Sequence, residues 1–120
     1  MAIRLLNAID TIYENCSVYQ SIIIVNSIDD ANDVLEHLLQ NDYPAELATF
    51  DGLTKMAQME SRVLIVCVET DLRNPQLINE LNQLKCIDTI IIDDEPPLID
   101  CVQELVTSFP SAREIYVGDN

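Results

Sequence analysis

Residues 86–100 constrain the fold of this chain more than any other stretch. Ile87, Thr89, Ile90, Ile91 and Ile92 form a β-branched run. It ends abruptly in Asp93, Asp94 and Glu95, then Pro96 and Pro97, after which a new apolar pattern begins. A continuous apolar run of this length reads as a parallel strand buried on both faces, not as an alternating one-sided strand. Such a strand delivers polar residues to the carboxyl edge of an α/β sheet, where ligands usually sit.

The same grammar repeats along the chain. Residues 2–14 place Ala2, Leu5, Leu6, Ile9, Ile12 and Tyr13 at helical spacing. Residues 21–26 form a buried strand, and Ser27, Asp29 or Asp30 caps the next helix. That helix carries Ala31, Val34, Leu35, Leu38 and Leu39 as one stripe and ends at Asp42-Tyr43-Pro44. Residues 46–50 make a short strand, Asp51-Gly52 a turn, and residues 53–59 at most two helical turns. A second buried strand lies within 62–69. Asn74-Pro75 opens a helix with Leu77, Ile78, Leu81 and Leu84 inside. Strand 88–93 follows, then a helix with Leu98, Cys101, Val102, Leu105, Val106 and Phe109 inside, and a last strand at 114–117. Strict alternation predicts a three-layer α/β/α domain over residues 1–120, with a five-stranded parallel sheet covered on both faces.

Composition narrows the chemistry. Hydrophobic residues make up 48% of the chain, enough for a genuine core. The two glycines, Gly52 and Gly118, leave almost no loop able to wrap a phosphate and predict few left-handed turns. The formal charge of −15 opposes binding of nucleic acid by the isolated domain and favours basic partners. Cys16, Cys67, Cys86 and Cys101 match no zinc spacing. No secretory leader and no membrane-spanning run is visible, so the expectation is a cytoplasmic protein with reduced thiols. Cys67 and Cys101 read as small core hydrophobes, Cys16 and Cys86 as more accessible. His37 lies off its helix stripe and reads as a solvated histidine.

Chemical motifs are sparse. Asp93, Asp94 and Glu95 have the residue types for a Mg²⁺ site, but a solvated strand end is the simpler reading. The lysines, Lys55 and Lys85, have no glycine-rich neighbours, so a Walker A loop is absent; so is the glycine fingerprint of a dinucleotide site. A phosphoacceptor receiver domain fails as well. Its first strand would end in acids where Asn26-Ser27 stand, its third in Asp where Cys67 stands, and no lysine follows Lys85.

Residues 2–120 nevertheless resemble one RecA-like half of a DEAD-box-type RNA helicase. Residues 21–31 resemble the motif IV strand and helix of the C-terminal half. Residues 43–48 resemble the next strand, 62–67 the strand into motif V, and 90–97 the strand before motif VI. A second register sets 91–100 against the DEAD motif of the N-terminal half, with Gly118 near motif III; the opening helix and strand favour the first. The departures fall on the chemistry. Around motif V only Thr70, Asp71 and Arg73 persist, and residues 98–108 hold none of motif VI's arginines. Without them a transferring phosphate has no clamp. The vestigial nucleotide-site residues are therefore Thr70, Asp71, Arg73, Asp93, Asp94 and Glu95, with no catalytic residue, no metal site and no cofactor expected.

The resemblance implies a catalytically inactive module that binds protein or itself within an RNA-granule scaffold, such as the helicase–Tudor proteins of the Yb type in the piRNA pathway. The alternative is a nucleotide- or RNA-binding half-domain that needs a second RecA-like domain. A small metal-assisted enzyme built on Asp93, Asp94 or Glu95 lacks a visible nucleophile or anion clamp.

Overall fold

The computed structural model describes residues 3–93 and 99–117. Its elements are α1 (Ile3–Asn15), β1 (Gln20–Val25), α2 (Ile28–Gln40), β2 (Ala45–Leu47), α3 (Phe50–Ala57), β3 (Val63–Cys67), a 3-10 turn (Asp71–Arg73), α4 (Pro75–Leu81), β4 (Ile87–Asp93), α5 (Ile99–Thr107) and β5 (Arg113–Val117). The five strands form one parallel sheet in the order β2-β3-β1-β4-β5. The expected five-stranded, three-layer architecture is what the chain adopts.

β1 is central, and all six of its residues are buried. Its register sets Ile22 beside Leu64 and Ile90, and Ile23 beside Ile65 and Ile91. Alternate residues therefore feed opposite layers. Ile22, Ile24, Leu64, Val66, Ile90 and Ile92 meet α3, α4 and α5 through Leu53, Met56, Leu77, Leu81, Val102 and Leu105. Ile23, Val25, Ile65 and Ile91 meet α1 and α2 through Leu5, Ile9, Val34 and Leu38. In the strand order only the β1–β2 connection runs toward β2, and it uses α2 on the second face. The three connections that run the other way use the first face, as a single crossover hand requires.

Local chemistry sets the boundaries. Ser27 caps α2 by accepting from the Asp30 N–H, and Asn74 caps α4 by accepting from Gln76 and Leu77, with Pro75 next in line. α2 ends in a Schellman motif: Asp42 sits at φ 63° and donates to Leu39 O, while Tyr43 donates to Leu38 O. α3 ends the same way, with Met59 at φ 64°, its N–H on Met56 O and that of Glu60 on Lys55 O. Left-handed positions are few among the described residues, and the two, at Asp42 and Met59, are made without glycine.

Gly52 is corrected. The expected strand 46–50 is only Ala45–Leu47, Thr49 is an N-cap that accepts from Gly52 N–H, and Gly52 lies inside α3, not in a turn. A Cβ on Gly52 would lie 2.2 Å from Leu47 O, so the glycine is required by the close approach of α3 to β2. Two side-chain placements also differ. Leu39 is 52% exposed on α2, whose buried residues are Ala31, Val34 and Leu38, and Cys101 is exposed on α5 while Val102, Leu105 and Val106 turn inward. Cys67 is buried, Cys86 exposed and Cys16 partly buried. Among the described residues no helix is long and apolar enough to cross a membrane.

Candidate functional site

At the carboxyl edge of the sheet, β1 leads to α2 on one face and the adjacent β4 leads to α5 on the other. The point where adjacent strands lead to opposite faces is the usual ligand position in an open α/β sheet. Asn26 follows β1, and its side-chain amide donates to the carbonyl of Asp93 at the end of β4, 3.4 Å away. The amide thus closes the β1–β4 gap with a polar bridge.

The segment after β3 supplies the next wall. Leu72 is buried and anchors the 3-10 turn to the core. This holds Asp71 where its carboxylate folds back on the strand: Oδ2 accepts from the Cys67 N–H at 2.7 Å, and Oδ1 accepts from the Thr70 hydroxyl at 3.3 Å. Ala48, Val66, Leu72 and Leu77 surround Asp71 with apolar surface. Desolvation raises the Asp71 pKa above its ordinary 3.8, against the opposing pull of the Cys67 N–H and the Thr70 hydroxyl. Arg73, two residues on, is exposed.

Thr70 and Asp71 are therefore brought together, Asp93 is tied to Asn26, and Arg73 stands in solvent. Asp94 and Glu95 lie outside the described residues, as does Gly118. Among the described residues no group of three His, Cys, Asp or Glu side chains is arranged to hold a metal. The segments leading from β1, β3 and β4 carry one cation in sequence, Arg73, against Asp29, Asp30, Glu69, Asp71, Asp93, Asp94 and Glu95. Carboxylates thus outnumber cations in the sequence of those segments.

Sequence reading missed Asn26 as a bridging residue; its position at a strand end was the available signal. It also missed a cleft at the opposite, amino edge of the sheet, lined by Tyr13, Tyr43 and Arg62 among others. Those residues come from three separate segments, so no local motif announces them.

No protein-family model and no curated protein matches the chain. Solved structures do. The C-terminal domain of the DEAD-box protein Dbp5 matches with a TM-score of 0.75 at 13% identity, over 100% of this chain and 72% of that one. A variant of the S. cerevisiae Dbp5 C-terminal domain, bound to a Gle1 variant and IP6, matches with a TM-score of 0.63 at 12% identity, over 98% and 84%. The Pyrococcus furiosus Hef helicase domain matches with a TM-score of 0.65 at 12% identity over 98% of this chain, which spans only 25% of that chain. At these identities the likeness is one of fold, and the chain has the fold of helicase C-terminal RecA-like domains.

Proposed function

We propose that this chain is a helicase-like domain without catalytic activity that serves as a protein-docking or self-association module. The observation that carries the reading is the composition of the carboxyl edge, where Arg73 is the one cation among carboxylates and Asp71 already occupies the Cys67 N–H. Phosphoryl transfer depends on cations and backbone donors aimed at the phosphates, and an acidic edge repels that charge. A protein partner is in keeping with the Dbp5 C-terminal domain, which is bound to Gle1 in one of the similar structures. The cellular setting we favour is an RNA-granule scaffold, including helicase–Tudor proteins of the Yb type. This rests on the resemblance read in the sequence.

Calorimetry with Mg–ATP and with single-stranded RNA tests the reading, alongside sedimentation and affinity capture from extract. The expected result is no heat with either ligand and either self-association or a retained protein. Micromolar binding of ATP or RNA by this chain would instead establish the alternative of a nucleotide-binding half-domain awaiting a second RecA-like domain.

A further inference from the structure

The amino edge of the sheet holds a cleft of ≈ 320 Å³, at the lower end of small-ligand pockets. One wall is aromatic: the rings of Tyr13 in α1 and Tyr43 after α2 lie 5.1 Å apart between centroids and are tilted by 46°. The floor is polar, with the Tyr13 hydroxyl 2.6 Å from Ser21 Oγ. Two hydroxyls carry two protons and spend one on each other, which leaves one to donate onward. Burial pushes the Tyr13 phenol up to about 12, so that group stays a neutral donor.

The rim carries Arg62, with the Asp88 carboxylate also near Tyr13. Arg62 stacks on Tyr19, its guanidinium carbon 5.1 Å from the ring centroid, and reaches Tyr19 O only at 3.5 Å. No carboxylate among the described residues lies within ion-pairing distance of Arg62. The nearby Asp88 is engaged with the Tyr19 N–H through Oδ2 and the Thr89 hydroxyl through Oδ1. Arg113 donates to Ser17 O at 3.2 Å and adds a second positive charge beside the cleft. In a chain of net charge −15, an arginine without a carboxylate at the mouth of an aromatic cavity is a feature the fold does not require. The frame is fixed by backbone bonds: Arg62 N and Val63 N donate to Pro44 O, and Ser21 N donates to Arg62 O.

We propose that the cleft bounded by Tyr13, Tyr43 and Arg62 binds a small aromatic carboxylate. The ring lies against the tyrosines, and the carboxylate takes the Arg62 guanidinium and the spare hydroxyl proton of the Tyr13–Ser21 pair. The site is separate from the carboxyl edge and independent of the docking function. A guanidinium binds a carboxylate through paired N–H donors, and the aromatic wall accepts a flat ring edge-on or offset.

The test is titration of the isotope-labelled chain, followed by amide NMR, with phenylacetate, phenylethanol and phenethylamine, which share a ring and differ in charge. Phenylacetate is expected to bind at least about tenfold more tightly than phenylethanol, with phenethylamine weakest. Shifts should centre on Tyr13, Val18 and Tyr43. Arg62→Gln should erase the preference for the anion, and Ser17→Trp, at an exposed position on the lining, should weaken all three ligands. Should Arg62→Gln fail to fold, the ligand series and Ser17→Trp still decide. Equal affinities, no binding of phenylacetate, or shifts centred on Asn26, Cys67 and Asp93 would overturn the proposal.

Discussion

His37 of α2 and Asp10 of α1 meet with Nε2 and Oδ1 2.8 Å apart, which ties together the two helices of the second face. Because it lies off the apolar stripe of α2, His37 is expected in solvent. Its side chain is only 23% exposed, since α1 packs alongside that flank, while that of Asp10 is 41% exposed. A pair this accessible stabilises little, because solvent screens it and both side chains lose freedom. A double-mutant cycle with Asp10→Ala and His37→Ala should give a coupling of no more than about 1 kcal/mol. Urea unfolding measures it; a coupling of several kcal/mol would mean that the helices depend on this contact.

Asp42 offers a stabilising substitution. It is exposed and holds φ 63° to close α2. A left-handed residue with a Cβ costs energy that glycine avoids, partly offset by the extra freedom glycine gains in the unfolded chain. Asp42→Gly should raise stability by about 0.5–1 kcal/mol. A lower urea midpoint for the variant would show that the Asp42 side chain contributes more than its backbone costs.

Gly52→Ala should act in the opposite direction. The new methyl would meet Leu47 O at 2.2 Å and the Glu46 Cβ at 3.1 Å, both on β2. The carbonyl cannot yield without moving the edge strand. The expected loss is about 1–3 kcal/mol, the usual range for overpacking, read as a fall in thermal midpoint. An unchanged midpoint would mean that α3 shifts freely on β2.

These residues also show how far the sequence reaches. The strands at Ile22–Val25, Val63–Cys67 and Ile90–Ile92 were legible because their apolar runs are unbroken, and Ser27 and Asn74 because they stand where helix caps stand. β2 was legible as a short strand but not in its bounds. Ala45, Leu47, Ala48 and Phe50 mark that region as apolar, too short a pattern to separate a three-residue strand from the helix that Thr49 begins. At the carboxyl edge the resemblance singled out Thr70, Asp71 and Asp93, yet the bond from Asn26 to Asp93 depends on strand adjacency that no spacing encodes, and that from Cys67 to Asp71, four residues apart, on the fold-back of the turn after β3. The amino-edge cleft was illegible for the same reason, since Tyr13, Tyr43 and Arg62 converge only through the sheet order.

The sign of the Asp71 effect follows from its raised pKa. The folded state holds the Asp71 proton more tightly than the unfolded chain does, because burial penalises the carboxylate. Stability therefore falls as pH rises through the ordinary value of 3.8 and past the folded value. Asp71→Asn keeps an acceptor for the Cys67 N–H and removes the charge. It should match or exceed the parent in stability near neutral pH, and the difference should shrink as pH drops below the unfolded value. Asp71→Ala leaves that N–H without its acceptor and should cost about 1–2 kcal/mol. Urea midpoints of the two variants across the acid range test this; Asp71→Asn as damaging as Asp71→Ala at neutral pH would mean that the carboxylate's charge stabilises the strand end.

Tyr13 gives the alkaline counterpart. Its phenol is raised from 10.0 to about 12, with burial the largest cause and the Ser21 hydrogen bond opposing it. Native protein keeps the proton over a range in which the unfolded chain has lost it. The associated stability is complete below the unfolded pKa and is lost as pH climbs from 10.0 toward about 12. At full titration that loss is at most about 3 kcal/mol. Tyr13→Phe should remove this pH dependence while keeping the ring against Tyr43. Subtracting the variant's phenolate absorbance from that of the parent should isolate one phenol with a midpoint near 12. A midpoint near 10.0 would mean that burial does not penalise the Tyr13 phenolate.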